Sequence, residues 1–174
     1  MELLKLIKTR RSIRRFNAGK KVEEEKIEAI LDAAIYAPSA GNIQPWKFYV
    51  VLNENIKQEL SVAACGQKFI SRASHVIVVC IDKEEASSNY GTRGENLYSI
   101  QDTAAAIQNM LLMIHNLGLA SCWVGAFSET NVSNCLKLEK ELRPVAIIPV
   151  GYPLFSLNPP PHRKFLDDVV KWVE

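Results

Sequence analysis

The clearest pattern in the chain is a helical spacing of apolar residues at i, i+3, i+4, i+7 and i+8. These residues are Ile27, Ile30, Leu31, Ala34 and Ile35. Three glutamates at 23–25 stand in the first turn, where they interact favourably with the helix dipole, and Pro38 ends the pattern. A shorter amphipathic pattern at 2–9 predicts another helix before it.

Apolar stretches with the composition of strands follow this helix. Trp46–Leu52 is rich in β-forming residues, and Val145–Val150 is a similar run nearer the end of the chain. His75–Ile81 is a continuous apolar run, which suits a strand that is covered on both faces. Ser121–Phe127, with the sequence SCWVGAF, is predicted as a fourth strand.

A long helix is predicted from about Leu97 to Leu117. Its middle, AAAIQNMLLMI, is apolar almost all round, and Gly118 is a natural stop signal. A helix of this composition is expected to be buried on every side, either inside a domain or between subunits.

Less regular segments connect these elements. Residues 82–96 are polar, contain two glycines and are predicted to form a mobile loop. Further helices are predicted at 54–64 and Ser128–Leu138, and the proline run at 159–161 is expected to be extended. The alternation of helix and strand, without a repeat or a linker, predicts a single domain over 1–174 with a three-layer α/β or α+β architecture.

The composition is that of a soluble globular protein, with 48% hydrophobic and 23% charged residues. No apolar run reaches the ~18 residues of a membrane span, and the N-terminal stretch lacks the features of a signal peptide. We therefore expect a cytoplasmic protein with no membrane partner. The four cysteines and three histidines lack metal-ligand spacing, so no metal site is expected.

Positive charge is concentrated at the start of the chain. Residues 1–21 contain eight lysines or arginines and one glutamate, although the whole chain has a net charge of only +2. Arg10, Arg11 and Arg14 surround Ser12, and these groups offer charge-assisted hydrogen bonds to a single phosphate. A solvated face is the commoner explanation of a basic run. Nucleic-acid binding is a further alternative, which a pI of about 8.3 and the lack of a recognition motif disfavour.

Two further segments carry candidate binding groups. In PSAGNIQPW, Ser39, Asn42 and Gln44 suit the polar edge of a heterocycle, although a simple turn explains the same residues. In SCWVGAF, Gly125 permits a flat ligand to approach the backbone, although it also suits a β-bulge. The sequence contains no phosphate loop, metalloprotease motif or credible catalytic dyad, which favours chemistry performed by a bound organic cofactor.

Together these segments resemble the nitroreductase family of FMN-dependent enzymes. The resemblance runs from Leu6 to the C-terminal tail and rests on RRSIRRF (10–16), APSAGNIQPWKF (37–48), QDTAAAIQNMLLMIHNLGLASCWVGAF (101–127) and PVGYP (149–153). It implies an α+β fold, an α/β/α sandwich in which a mixed, mainly antiparallel sheet is flanked by helices. It also implies an intertwined homodimer with two FMN sites at its interface.

The resemblance assigns flavin contacts to four groups of residues. The phosphate ligands are Arg10, Arg11, Ser12, Arg163 and Lys164. The residue near the pyrimidine side of the ring is Arg14. The loop residues that reach the flavin of the other subunit are Pro38, Ser39, Ala40 and Asn42. The residues at the polar edge, N5 and O4 of the ring are Gln67, Gly125 and Ala126.

The resemblance further implies that FMN is tightly bound and that NAD(P)H is a transient electron donor. In a ping-pong reaction NAD(P)H would reduce flavin N5, and a small acceptor such as a nitroaromatic or a quinone would be reduced afterwards. No side chain is required as a catalytic acid or base, and Arg14 would give electrostatic support at the ring.

The chain departs from the family pattern at two places. The segment between Cys122 and Arg143 has no room for the long helical insertion of larger members, and Phe165 follows the C-terminal basic pair where proline is frequent. Both departures concern substrate identity rather than FMN binding. The alternatives are a specialised flavin enzyme, for reductive dehalogenation or flavin breakdown, and a flavin-binding protein without turnover.

Overall fold

Helices cover both faces of a four-stranded sheet in the computed structural model, which describes residues 2–155 and 161–174. The helices are α1 Leu3–Thr9, α2 Glu24–Ile35, α3 Glu54–Ala63, α4 Lys83–Ser87, α5 Gly91–Arg93, α6 Ser99–Asn116 and α7 Glu129–Leu136. The strands are β1 Trp46–Val51, β2 His75–Asp82, β3 Ala120–Ser121 and β4 Leu142–Gly151. The shorter helical turns are 3-10 at Ala40–Asn42 and Leu166–Asp168 and π-helical at Gly94–Tyr98.

The strands form one open sheet in the order β1-β2-β4-β3, and every pair between these described strands is antiparallel. In β2, Ile77 and Val79 belong to a cluster of buried side chains that includes α2 and α6. Val76, Val78 and Cys80 belong to a second cluster, which includes α3 and α7. Side chains that alternate between two apolar layers explain the continuous apolar run. The predicted burial of this strand on both faces and the three-layer fold class are confirmed.

The central helix α6 is buried along one face only. Ala106, Ile107 and Met110 lie in the core, whereas Met113 is partly exposed and Ile100 is exposed. Burial on every side inside the domain is therefore wrong, because only one face of α6 packs on α2 and the sheet, and burial of the remaining surface between subunits stays a prediction. The predicted end of the helix is confirmed, since Gly118 follows it with a φ of 71°.

The predicted mobile loop at 82–96 is wrong, because this segment is largely helical. Asp82 caps α4 by accepting a hydrogen bond from the backbone N–H of Glu85 at 3.0 Å. Helix α5 and the π-helical turn then lead directly into α6. Gly94, which suggested a loop, is instead a packing residue: a Cβ at this position would collide with the carbonyl oxygen of Ala86.

The predicted strand at 121–127 is also shorter than expected. Only Ala120 and Ser121 pair with β4, and Val124 makes a single isolated bridge to Ile147. The rest of the segment turns away to reach Ser128, which caps α7 as predicted by accepting from the N–H of Asn131. No described helix combines the length with the apolar composition that a membrane-spanning helix requires. The predicted extended proline run at 159–161 lies outside the described residues except for its last residue.

Candidate functional site

The arginine-rich segment runs in an extended form beside the end of the sheet. Helix α1 ends at Thr9, and the N–H of Ile13 then donates to the carbonyl of Ser121 in β3 at 2.8 Å. Phe16 pairs with Pro153 in an isolated antiparallel bridge. These contacts fix the backbone between Arg11 and Arg14 and after Arg15, so that local pairing positions the arginine side chains.

Three guanidinium groups are gathered at the end of α1. Burial lowers the pKa of Arg10, and the neighbouring charges of Arg163 and Arg11 lower it further. Arg11 donates through Nη1 to the carbonyls of Lys8, at 2.8 Å, and of Arg10, at 2.6 Å. Its Nε is buried and lacks a hydrogen-bond partner among the described residues. An anion with several oxygen acceptors would both satisfy this donor and neutralise the cluster.

His115, near the end of α6, borders the same cluster. Its Nε2 lies 2.9 Å from the Oγ1 of Thr9, within hydrogen-bond distance, and its side chain is partly buried. Burial lowers the pKa of His115, and the charges of Arg10 and Arg11 add to the effect. The last turns of α1 and α6 therefore meet beside the arginine cluster.

A second group of predicted residues comes together next to the arginine segment. Gln67 donates through Nε2 to the carbonyl of Ala126 at 3.3 Å and to that of Ala64 at 2.9 Å. The guanidinium carbon of Arg14 lies 5.9 Å from the centre of the Phe69 ring. The segment at 64–69 thus connects with both the SCWVGAF segment and Arg14, which are far apart in sequence.

Gly125 and Ala126 are exposed, and nothing in the described protomer requires a glycine at 125. A Cβ built on Gly125 meets no atom within 4 Å, and the residue does not have the left-handed backbone that favours glycine. Open space above an exposed backbone permits a flat group to approach closely.

The loop at 38–42 is held in a specific conformation at the other end of α6. The N–H of Ala40 donates to Oδ1 of Asp102 at 3.1 Å, and the N–H of Gln44 donates to Oγ of Ser39 at 3.0 Å. Asn42 has a φ of 55°, in the left-handed region. Burial raises the pKa of Asp102, and the hydrogen bond from Ala40 opposes this shift.

These contacts place the two halves of the predicted site at opposite ends of α6. The loop at 38–42 is bonded to Asp102, and the arginine cluster borders His115. At 1.5 Å per residue the two positions are roughly 20 Å apart along the helix. The structure therefore brings together the arginines, Gln67 and Ala126, but not the loop, within one protomer.

Sequence reasoning missed some residues that border the candidate site, and it included others that are exposed in the structure. Asp102, Phe69 and His115 were not assigned a place in the site, and only the acidic residue within the apolar QDTAAAI run gives a signal. Ser12 and Lys164 are exposed. In the part of the chain that is described, no group of three or more His, Cys, Asp or Glu residues could hold a metal ion.

Known proteins resemble this chain in sequence and in fold. The sequence profile described as the Nitroreductase family matches residues 7–152. A protein of Archaeoglobus fulgidus, provisionally named NADH dehydrogenase/NAD(P)H nitroreductase, is 35% identical and covers 87% of this chain and 86% of its own length. The NADH dehydrogenase of Thermus thermophilus is 32% identical, and the match covers 94% of this chain and 92% of that protein. The solved FMN-dependent nitroreductase of Clostridium difficile has a TM-score of 0.84 at 27% identity and covers 98% of both chains.

Proposed function

We propose that this chain, which belongs to the nitroreductase family, is an FMN-dependent enzyme that passes electrons from NAD(P)H to a small acceptor such as a nitroaromatic or a quinone. Family membership supports the oxidoreductase class. The names of the Clostridium difficile and Archaeoglobus fulgidus proteins support the flavin and the nicotinamide donor, respectively. The acceptor class comes from the resemblance.

The arginine cluster is the observation that carries the proposal. A phosphate monoester has a charge between −1.5 and −2 near neutral pH and three acceptor oxygens. Arg10, Arg11 and Arg163 supply the opposite charge, and the buried Nε of Arg11 supplies a donor that the described protein leaves without a partner. Each hydrogen bond to a charged group contributes about 1.5–3 kcal/mol. The residues present therefore fit the phosphate of FMN.

The second group of residues fits the ring of the same cofactor. Gln67 and Ala126 bond to each other through Nε2 and a carbonyl, which leaves Oε1 of Gln67 and the N–H of Ala126 for a polar edge, and the open backbone at Gly125 suits a flat face. When bound, FMN would supply the redox chemistry, which the side chains assigned to this site cannot perform themselves. The positive charge of Arg14 would stabilise the negative charge that a reduced ring carries at its pyrimidine side.

A homodimer would complete the site. The loop at 38–42 is roughly 20 Å from the arginine cluster along α6, so one protomer cannot bring both to the same phosphate and ring. Apolar side chains are exposed on α1 and along the C-terminal segment, as expected of surfaces that pack on a partner. They are Leu3, Leu4, Ile7, Phe165, Leu166, Val169, Trp172 and Val173. We infer that the loop of one protomer reaches the flavin of the other.

The visible spectrum of the purified protein and a titration of the flavin-free protein test this proposal. We expect bound FMN, identified by mass after release, and tighter binding of FMN than of riboflavin, which lacks the phosphate. Arg11→Ala should weaken FMN binding by about 10- to 100-fold and riboflavin binding little. Arg15→Ala is the matched control, since the guanidinium of Arg15 lies over Phe155 instead, at 5.8 Å.

The outcomes separate the alternatives. A colourless protein that does not take up FMN overturns the proposal. A yellow protein that oxidises no NADH or NADPH in the presence of nitroaromatics or quinones is a flavin-binding protein without turnover. Identification of the products separates a general reductase from a specialised enzyme for dehalogenation or flavin breakdown.

A further inference from the structure

Tyr90, Arg93 and Tyr98 form a cluster of aromatic rings and a guanidinium group on the surface. The rings of Tyr90 and Tyr98 meet edge to face with their centres 5.3 Å apart. Arg93 donates through Nε to the hydroxyl of Tyr98 at 2.9 Å, and its guanidinium carbon is 5.2 Å from the centre of the Tyr98 ring. Tyr90 remains 42% exposed. We call these three residues the tyrosine-arginine cluster.

The backbone holds the tyrosine-arginine cluster in place. All three residues lie at the start of the helical run that continues into α6, and Gly94–Tyr98 forms a π-helical turn. π-helical turns are rare in proteins, and those that occur often lie at functional sites. Gly94 packs directly on the carbonyl of Ala86, which fixes the turn against α4. The cluster is therefore built on regular structure.

The tyrosine-arginine cluster contacts the loop that is assigned to the flavin of the partner. A Cβ built on Gly41 would lie 2.7 Å from the hydroxyl oxygen of Tyr90. The Tyr90 hydroxyl therefore packs directly against the backbone of Gly41. The neighbouring Ala40 is anchored to Asp102, one helical turn beyond Tyr98. The cluster thus borders the candidate flavin site from the side of the loop.

Arg93 keeps most of its hydrogen-bonding capacity for a ligand. Its Nε is the donor that has a partner, and no carboxylate of the described residues forms an ion pair with it. An arginine anchored through Nε retains two Nη groups, which can bind a carboxylate in a bidentate manner. The tyrosine rings beside it offer apolar surface to an aromatic ring.

We propose that the tyrosine-arginine cluster binds planar aromatic acceptors that carry a negative charge and thereby determines acceptor specificity. This inference rests on the proposed function, because it concerns the acceptor that the enzyme would reduce. It assigns binding to Arg93, Tyr90 and Tyr98 and gives none of them a part in electron transfer.

Two acceptors of equal shape test the inference: 4-nitrobenzoate, which is an anion, and the neutral 4-nitrobenzamide. In steady-state kinetics with the FMN-loaded protein, Arg93→Ala should raise the KM for 4-nitrobenzoate about 10-fold. The kcat and the KM for 4-nitrobenzamide should change less than about twofold, because the neutral amide has no charge for Arg93 to bind. Arg93→Lys should have an intermediate effect, because it keeps the charge and loses the planar fork.

Equilibrium dialysis of 4-nitrobenzoate against the same proteins measures binding without turnover. We expect Arg93→Ala to weaken it and Lys137→Asn to leave it unchanged, since Lys137 is an exposed cation that follows α7 on the opposite face of the sheet. Equal effects of Arg93→Ala on both acceptors, or unchanged dialysis, would overturn the inference. Absence of NAD(P)H oxidation by the wild-type protein with 4-nitrobenzamide and with all other nitroaromatics and quinones would overturn the proposed function instead, and dialysis would still decide the inference.

Discussion

Arg14 and the other arginines of the N-terminal segment are adjacent in sequence but differ in their surroundings. Arg10 and Arg11 are partly buried among cations, whereas Arg14 is exposed and lies over the ring of Phe69. The cluster suits a phosphate, and a single accessible guanidinium suits the edge of a ring that becomes negative on reduction. Residue type alone does not separate these roles, since the segment reads RRSIRR.

Arg14→Ala is expected to slow reduction of the bound flavin more than it weakens flavin retention. Loss of a group that stabilises developing charge costs about 10²-fold or more in rate, whereas the phosphate contacts remain. Stopped-flow bleaching of the visible flavin band by NADH gives the rate, and titration of the flavin-free protein gives the Kd. Arg14→Lys, which keeps the charge, should recover part of the rate. Equal losses of rate and affinity would contradict the role given to Arg14.

Two histidines whose pKa values are lowered, the buried His75 and the partly buried His115, predict acid sensitivity of the fold. Burial lowers the pKa of His75 and of His115, and nearby cations lower both further. Below the ordinary histidine pKa of about 6.5 the unfolded chain binds more protons than the folded chain, so the free energy of unfolding falls as the pH drops.

Urea unfolding at pH 8, 7, 6 and 5 should therefore show a loss of stability below about pH 6.5. In the double variant His75→Gln/His115→Gln the slope between pH 7 and pH 5 should flatten, although the stability at pH 8 also falls because packing changes. A slope that stays the same in the double variant would show that other groups cause the acid sensitivity.

At the level of elements, the sequence predicted the helices and strands whose side chains follow a regular pattern of burial. The helical spacing of Ile27, Ile30 and Ala34 and the apolar run of β2 each follow from burial against a neighbouring layer. The prediction of a mobile loop at 82–96 was wrong because glycine serves both in backbone with positive φ and in close packing, and composition does not distinguish the two. Gly91 begins α5 with a φ of 53°, in the left-handed region that favours glycine, whereas Gly94 gives room for the carbonyl of Ala86 inside a helix.

The candidate site was predictable to a similar degree and for similar reasons. Arginines, a serine and flexible loop residues are recognisable by their chemistry as candidate phosphate and amide ligands, and their assignment to a flavin stays a prediction. Asp102 and Phe69 were missed because their roles depend on which segments meet in space: Asp102 anchors Ala40, and Phe69 lies under Arg14. No spacing along the chain encodes such a meeting.

A pair of glycine substitutions separates a packing role from a binding role. Gly94→Ala should lower the free energy of unfolding by more than about 2 kcal/mol, because its Cβ would meet backbone that cannot move aside easily. Gly125→Ala should change it by less than about 0.5 kcal/mol, since its Cβ would meet open space. Urea unfolding of the flavin-free proteins measures both.

Titration with FMN completes this comparison. Gly125→Ala is expected to weaken FMN binding, because its methyl group would occupy the space that a flat ring needs above the backbone. Unchanged FMN affinity in Gly125→Ala would remove this backbone from the site, whatever the effect of Gly94→Ala on stability.

At the level of the whole molecule, α6 sets the distance between the two halves of the site. Asp102 and His115 lie on one rigid helix, so local flexibility cannot remove the separation of roughly 20 Å. Apolar residues at both ends of the chain are exposed in the protomer. A dimer in which each chain extends its loop to the site of the other would explain both the separation along α6 and the exposed apolar residues. A single chain explains neither.

A mixed dimer tests this arrangement directly. One chain carries Arg11→Ala, which damages the arginine cluster. The other carries Gly41→Val, which places a branched residue at a φ of 56° and against the hydroxyl of Tyr90. Each homodimer should bind FMN weakly at both of its sites. If every site combines the arginines of one chain with the loop of the other, the mixed dimer has one site with both defects and one with none.

The mixed dimer, purified with a different tag on each chain, should therefore bind one FMN with the affinity of the wild-type protein and the second very weakly. If the arginines and the loop of the same chain shared a site, each site would carry one defect and neither would reach wild-type affinity. Fluorescence titration of the flavin, with the stoichiometry fixed by the absorbance of the loaded protein, distinguishes the two results. A wild-type mixed dimer with the same two tags controls for tagging, since both of its sites should bind FMN equally.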